Sequence, residues 1–365
     1  MSLTSPTLVR YHIKNYLKAL GLVLVVVTLV IGMFDLAEIL RKAALKPDVT
    51  PGVITQLLVL RLPNLIERIL PFIFFFAAVL TLWRMNRFRE VDVLRASGLS
   101  IWQMLMPLAL AGSLLGAVDV VVLNPVFSKM MRRHEKLERK YLFGEQESLT
   151  LSDTGLWMKE SLMENERIFH ANHVNPKEWL FRDVTLFTFN QKNQLQGILT
   201  AEKAQWQNGQ FVFSKAWMTR PGLMPQHLEE FQIYTGITPQ SFEEQGTAVY
   251  TVSFWDLPRF IHLLERAGLS SQKYLVYWHS LWARMFWLGI MVFLAAAFAL
   301  RPLRQGHQAF WLTAGIALAF ALYVLRDISY ALGSAGTVPA MVAAWIPVGV
   351  SLAVAAWILL HLEDG

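Results

Sequence analysis

Charged side chains inside apolar sequence are where chemistry is expected first, and this chain holds several. Glu67-Arg68 interrupts one apolar run, Asp119 a second and Arg326-Asp327 a third. A charge in hydrocarbon is costly, so such residues face a bundle interior or a cavity; a purely structural ion pair explains them equally well. His170, His173, His227 and His262 do not share metal-ligand spacing. Glu229-Glu230 and Glu243-Glu244 are adjacent pairs, whose members point to opposite faces of a strand, and both read as solvated charge. No nucleophile motif, HExxH sequence or glycine-rich phosphate loop occurs, and in particular no Walker A sequence. The chain is therefore not expected to hydrolyse ATP, nor to hold a metal or cofactor. Cysteine is absent, which excludes disulfides and thiolate metal sites.

A different kind of segment is RFREVDVLRASGLS, positions 87–100, set between two apolar runs with three arginines, a glutamate and an aspartate. Glu90, Asp92 and Arg95 are polar, whereas Val91, Leu94 and Leu99 supply an apolar side, with Val91 and Leu94 at helical i, i+3 spacing. Gly98 suits the left-handed position that ends a helix. From the residues alone, a solvated loop whose arginines set topology is the simpler reading. A short amphipathic rod that grips a partner is the other.

The elements that position these residues are membrane spans. The chain has 365 residues, 54% of them hydrophobic, and a mean hydropathy of +0.38, too apolar for an ordinary soluble protein. Six runs, 17–40, 65–83, 101–123, 281–300, 309–325 (extendable to 331) and 338–360, approach the roughly 20 residues that cross about 30 Å of hydrocarbon. Toward the end of the first run stands Phe34-Asp35-Leu36 and not a small-x-small cleavage site, so this run is expected to remain as a helix. Basic residues cluster at Arg10, Lys14 and Lys18, at Arg84, Arg87, Arg89 and Arg95, and at Arg301 and Arg304. Even numbers of crossings separate the clusters, so all three can be cytoplasmic, with both termini inside and 124–273 outside. Topology thus accounts for the net charge of +6, and no nucleic-acid partner is predicted.

The outside segment reads as β-structure with helical flanks. DVTLFTFN (183–190) alternates, and AQWQNGQFVFSKAW (204–217) places Asn208-Gly209 between two apolar-polar runs, a strong hairpin signal. GLWMKE, RIFHANHV and FQIYTGI add short strands, which suggests a sandwich, barrel or jelly roll. Residues 129–142 can extend the third helix, and 254–268 read as a short amphipathic helix from Asp256 to Gly268. The expected fold is an α-helical polytopic membrane protein, three helices plus three, with an inserted β-domain. The expected division is 1–128, 129–272 and 273–365.

Several strings, in this order and spacing, resemble the LptF/LptG (YjgP/YjgQ) permease family of lipopolysaccharide exporters. They are LRKA (40–43), Pro63 and Pro71 at the start of helix 2, Arg89, Glu90, Val91 and Val93 running into Ala96-Ser97-Gly98, and Asn124-Pro125. GLWMKE (155–160), Phe189-Asn190, PLR (302–304) and YVL (323–325) complete the set; GLWMKE and PLR tilt it toward the LptG branch. The resemblance implies a permease subunit of an inner-membrane ABC transporter, one LptF-type and one LptG-type chain pairing with an LptB-type ATPase dimer. Such a complex extracts lipopolysaccharide and passes it through periplasmic β-jellyroll domains to LptC and the periplasmic bridge. ATP is then used by the partner, and the chain itself needs no cofactor.

The same resemblance makes 87–98 the coupling helix, with Glu90, Asp92, Arg95 and Gly98 as coupling residues and Glu90 the anchor for an ATPase arginine. Arg41 and Lys42 match basic positions for lipid A phosphates, with Lys46 as a neighbour. Where the family has a further helix-1 lysine this chain has Asp35. Arg132 matches a basic position beyond helix 3, the next such position being Glu135. Arg326, as an intramembrane cation, joins the lipopolysaccharide-binding candidates. Helices 1 and 5 are the implied gate. Other readings compete: the LptF-type paralogue of the same complex, which shares the layout, an ion-coupled secondary transporter of a lipid or amphiphile, and a non-transporting scaffold. A large β-domain has no role in alternating access and no inverted repeat is evident, while six helices exceed what a scaffold requires.

Overall fold

The computed structural model describes residues 6–44, 46, 49–143, 147–152, 155–162, 165–175, 178–190, 194–236, 248–266, 269–300 and 308–363. Glu243-Glu244, Arg301, Arg304 and the PLR string lie outside the described residues. The chain divides into two compact units, one formed by 1–137, 253–255 and 272–365, the other by 138–252 and 256–271.

The first unit is helical. α1 (Pro6–Ala43) is followed by α2 (Pro51–Arg87), the short α3 (Glu90–Ala96) and α4 (Ile101–Val118). A π-helical turn, Asp119–Leu123, joins α4 to α5 (Asn124–Glu138), so that 101–142 form one continuous rod. Beyond the β-region come α7 (Gln272–Ala299), α8 (Gln308–Ser334) and α9 (Ala340–Glu363). Six helices among the described residues are long and apolar enough to cross a membrane. They outrun the apolar sequence that announced them: α1 has 38 residues, roughly 57 Å at about 1.5 Å per residue. α2 begins at Pro51, well before the apolar run at 65, and Pro63 and Pro71 lie inside it. Pro51 occupies the first helical turn, where its missing N–H costs nothing.

α7 is the central helix, packed against α2, α4, α8 and α9. Its most apolar stretch is 89% buried, against 11% in α1 and 22% in α8, whose outer faces are bare within this chain. α4 reaches α7 along a seam of small residues. A Cβ at Gly289 of α7 would sit 2.6 Å from the Ala109 carbonyl oxygen, and Gly112 and Gly116 of α4 lie against the α7 backbone. Close backbone approach is how helices associate in lipid, where burial from water supplies no drive.

The second unit carries a seven-stranded antiparallel sheet in sequential order: β1 (Glu147–Ser152), β2 (Gly155–Leu162), β3 (Asn165–Asn175), β4 (Leu180–Asn190), β5 (Leu195–Gln207), β6 (Gln210–Thr219) and β7 (Gln226–Tyr234). The predicted hairpin is present: Gln207 pairs with Gln210 across Asn208 and Gly209, both at positive φ. A flat sheet would hold β3 and β6 about 14 Å apart, three spacings of about 4.8 Å. Phe169 of β3 instead stacks on Phe211 of β6 with centroids 4.8 Å apart, so the sheet curls around its own apolar face in jellyroll-like fashion. Glu160 of β2 accepts from Thr235 Oγ1 at 2.9 Å and Gly236 N at 2.5 Å, and Arg167 of β3 donates to the Tyr234 carbonyl at 2.8 Å, closing the curl at the end of β7. α6 (Leu257–Arg266) is the predicted amphipathic helix, entered after Asp256; Gly268 lies outside the described residues.

Candidate functional site

The helix between spans 2 and 3 is shorter than 87–98: Arg87 ends α2, Phe88 and Arg89 form the turn, and α3 covers Glu90–Ala96. Arg89 takes a left-handed conformation at φ 56. α3 stops as its sequence predicts. Leu99 N bonds Leu94 O at 3.2 Å and Gly98 N bonds Arg95 O at 3.0 Å, with Gly98 at φ 87, a Schellman ending with Leu99 packed near Leu94. Ser100 then opens α4 with a reciprocal capping box to Gln103.

Val91, Leu94 and Leu99 are buried in the chain's own helical core, so the apolar side of α3 holds it to the bundle and is not offered outward. The outward side carries half-buried Glu90 and exposed Asp92, Arg95 and Gly98. Two exposed apolar residues join them, Phe88 at 66% and Val93 at 68% exposure. Sequence reasoning missed both because one-dimensional apolarity cannot tell an inward from an outward residue. Just before this turn, Asn86 Nδ2 donates to the Ala299 carbonyl at 3.1 Å in a buried site, tying the ends of α2 and α7.

At the other end of α1, Arg41 and Lys46 are exposed, whereas Lys42 is held by Glu38 at 3.0 Å. Asp35, the departure from the family's lysine, is buried and paired with Arg61 of α2 at 2.8 Å. Arg61 also reaches Glu38 at 3.6 Å. The Asp35 carboxylate thus joins α1 to α2. Arg132 is exposed on α5.

Asp119 and Glu67 meet inside the bundle. Arg284 of α7 places Nη1 3.3 Å from Asp119 Oδ2 and 3.4 Å from Glu67 Oε1, all three residues being buried. Asn124 donates to Glu67 Oε1 at 3.4 Å, contacts the Tyr277 hydroxyl at 3.3 Å and accepts from Phe254 N at 2.9 Å. The π-helical turn sits between Asp119 and Asn124, and its extra residue per turn resets which side chains face inward. The Val121 carbonyl within it accepts from Trp255 Nε1 at 3.1 Å. Arg284 had no signal beyond its place in an apolar run. Arg326 is half-buried, 3.5 Å from exposed Asp327 and stacked over Trp287 and Tyr323 at 5.8 and 5.6 Å. Glu67, Arg68, Arg284, Trp287, Arg326 and Tyr330 line one cavity; Arg41, Lys42, Lys46 and Arg132 do not line it. The basic candidates are therefore not gathered into one cradle. Of the phenylalanines in the helices, Phe74, Phe75, Phe293 and Phe298 are buried packing, and Phe286, Phe310 and Phe320 are exposed.

Six membrane-length helices in two groups of three, with an antiparallel β-unit between them, define a multi-pass membrane protein. The family described as lipopolysaccharide export system permease LptF/LptG matches residues 10–361. The chain belongs to that family. No curated protein matches it.

Proposed function

We propose that this chain is the LptG-type permease subunit of a lipopolysaccharide exporter, paired with an LptF-type subunit and driven by an LptB-type ATPase that docks on α3. The arrangement of α3 carries this reading. A short helix clamped to the bundle by Val91, Leu94 and Leu99 presents Glu90, Asp92, Arg95, Phe88 and Val93 outward, and a rod so held transmits a push without slipping. With the basic clusters inside, both termini and α3 are cytoplasmic in the inner membrane and the β-unit is periplasmic, where it hands lipopolysaccharide to LptC and the bridge. ATP is consumed by the partner, since the sequence holds no Walker A motif. The bare outer faces of α1 and α8 support a gate and a permease partner there. Arg41 and Lys46, exposed at the outer end of α1, with Lys42, Arg132 and Arg326, are assigned to lipopolysaccharide.

Glu90→Lys should leave the subunit inserted while uncoupling lipopolysaccharide release from ATP hydrolysis. Wild-type ATPase co-purification and transport in that variant would overturn the assignment. One observation favours a second reading: the Glu67–Asp119–Arg284 cluster is the kind of intramembrane charge that ion-coupled transporters use. Release that follows a proton gradient without ATP would select it.

A further inference from the structure

Glu90 has a partner within the chain. Tyr11, near the start of α1, donates its phenolic hydroxyl to Glu90 Oε1 at 3.2 Å, across 79 positions of sequence. Its neighbour His12 is 4% exposed, with its ring 5.4 Å from the Tyr11 ring, edge to face. Neither His12 ring nitrogen has a hydrogen-bond partner among the described residues, and Glu90 lies within its electrostatic reach. The start of α1 is thus joined to the start of α3 through the side chain to which the docking reading assigns the main role. Two residues to either side of Tyr11 the packing of α1 is open. An apolar cleft of about 500 Å³ is lined by Val9 and Ile13 of α1 and by Met106, Pro107 and Leu110 of α4. A helix with space behind it and a charge-assisted hydrogen bond in front of it follows whatever moves the carboxylate.

We propose that Tyr11 is a positioning residue for Glu90 and the link by which displacement of α3 reaches the first membrane helix. The bond engages Oε1, and Oε2 faces no other donor among the described residues, so one carboxylate can hold Tyr11 and a partner cation together. This rests on the reading of α3 as the docking rod and adds to it the path of the motion. α2 and α7 are already pinned at their ends by Asn86 and Ala299, whereas α1, backed by the cleft, is the helix with room to respond.

The test uses the assembled exporter, this chain with its partner permease and ATPase, in lipopolysaccharide-containing proteoliposomes. The readout is lipopolysaccharide released per ATP hydrolysed. Tyr11→Phe removes one oxygen and should lower that ratio about fivefold or more, since a hydrogen bond to a charged group is lost. Added to Glu90→Ala, which removes the acceptor, it should cause little further loss, because both act through one contact. A wild-type ratio in Tyr11→Phe, or a full independent loss on top of Glu90→Ala, overturns the proposal. Because the chain has no cysteine, spin labels at Val9→Cys and Leu110→Cys report the cleft when the partners are cysteine-free. ATP should change the separation of the labels when Tyr11 is intact and leave it unchanged in Tyr11→Phe; an ATP response that persists in Tyr11→Phe also overturns the proposal. Failure of the docking reading is seen separately, as Glu90→Lys that remains fully coupled.

Discussion

At the scale of single residues, the membrane domain is organised by charges that satisfy one another. Arg284 serves two carboxylates, Asp119 and Glu67, and Asn124 ties Glu67 to Tyr277 and to the Phe254 backbone. Removing one member of a buried ionic group costs more than replacing the group, because the remaining charges stay buried without compensation. Arg284→Met is expected to lower stability by about 3–5 kcal/mol. Combining it with Glu67→Gln and Asp119→Asn should recover most of that loss. Thermal unfolding in detergent, followed by tryptophan fluorescence, checks both. Asp35 follows the same logic: its pairing with Arg61 makes it a joint between α1 and α2.

At the scale of elements, α3 is defined by how it ends and by what it buries. Its first turn holds Glu90 and Asp92 and its last holds Arg95, each sign matching the helix dipole. Gly98 at φ 87 then reverses the chain into α4. A β-branched side chain there is strained by about 1–2 kcal/mol. Gly98→Val should therefore leave the six helices inserted but tilt or fray α3, reducing the ATPase that co-purifies with the subunit. An undiminished ATPase yield would show that the Schellman ending does not set the docking surface. The amphipathic pattern of the segment is real, yet its apolar side serves internal packing. The apolar residues it leaves outward are Phe88 and Val93.

At the scale of the molecule, the two units solve closure differently. The helical unit surrounds α7 and leaves α1 and α8 bare on their outer faces, as suits a subunit that shares its membrane boundary with lipid or another chain. The β-unit closes on itself: Phe169 meets Phe211 across the curl, and Glu160 anchors the residues after β7. Glu160→Ala removes an acceptor used by two donors, and amide exchange along Gln226–Tyr234 should accelerate about tenfold or more. Glu160→Gln, which keeps an acceptor, should fall between. Hydrogen exchange of the full-length protein measures both.

The number of membrane helices, the β-insert, the Asn208-Gly209 turn and the end of α3 were legible in the sequence, because each rests on local physics: apolar length, period-two alternation, positive φ and capping. The reading of α3 as a docking site came from family strings and not from local physics. What only tertiary structure decided is which partner each charge found. Arg284 stands 165 positions from Asp119, and Tyr11 stands 79 from Glu90. The helix lengths and the inward side of α3 were decided there too, since hydrogen-bonded helix continues past its apolar stretch and burial depends on neighbours. Pairings across such separations arise when whole helices pack, and no window of sequence contains both members.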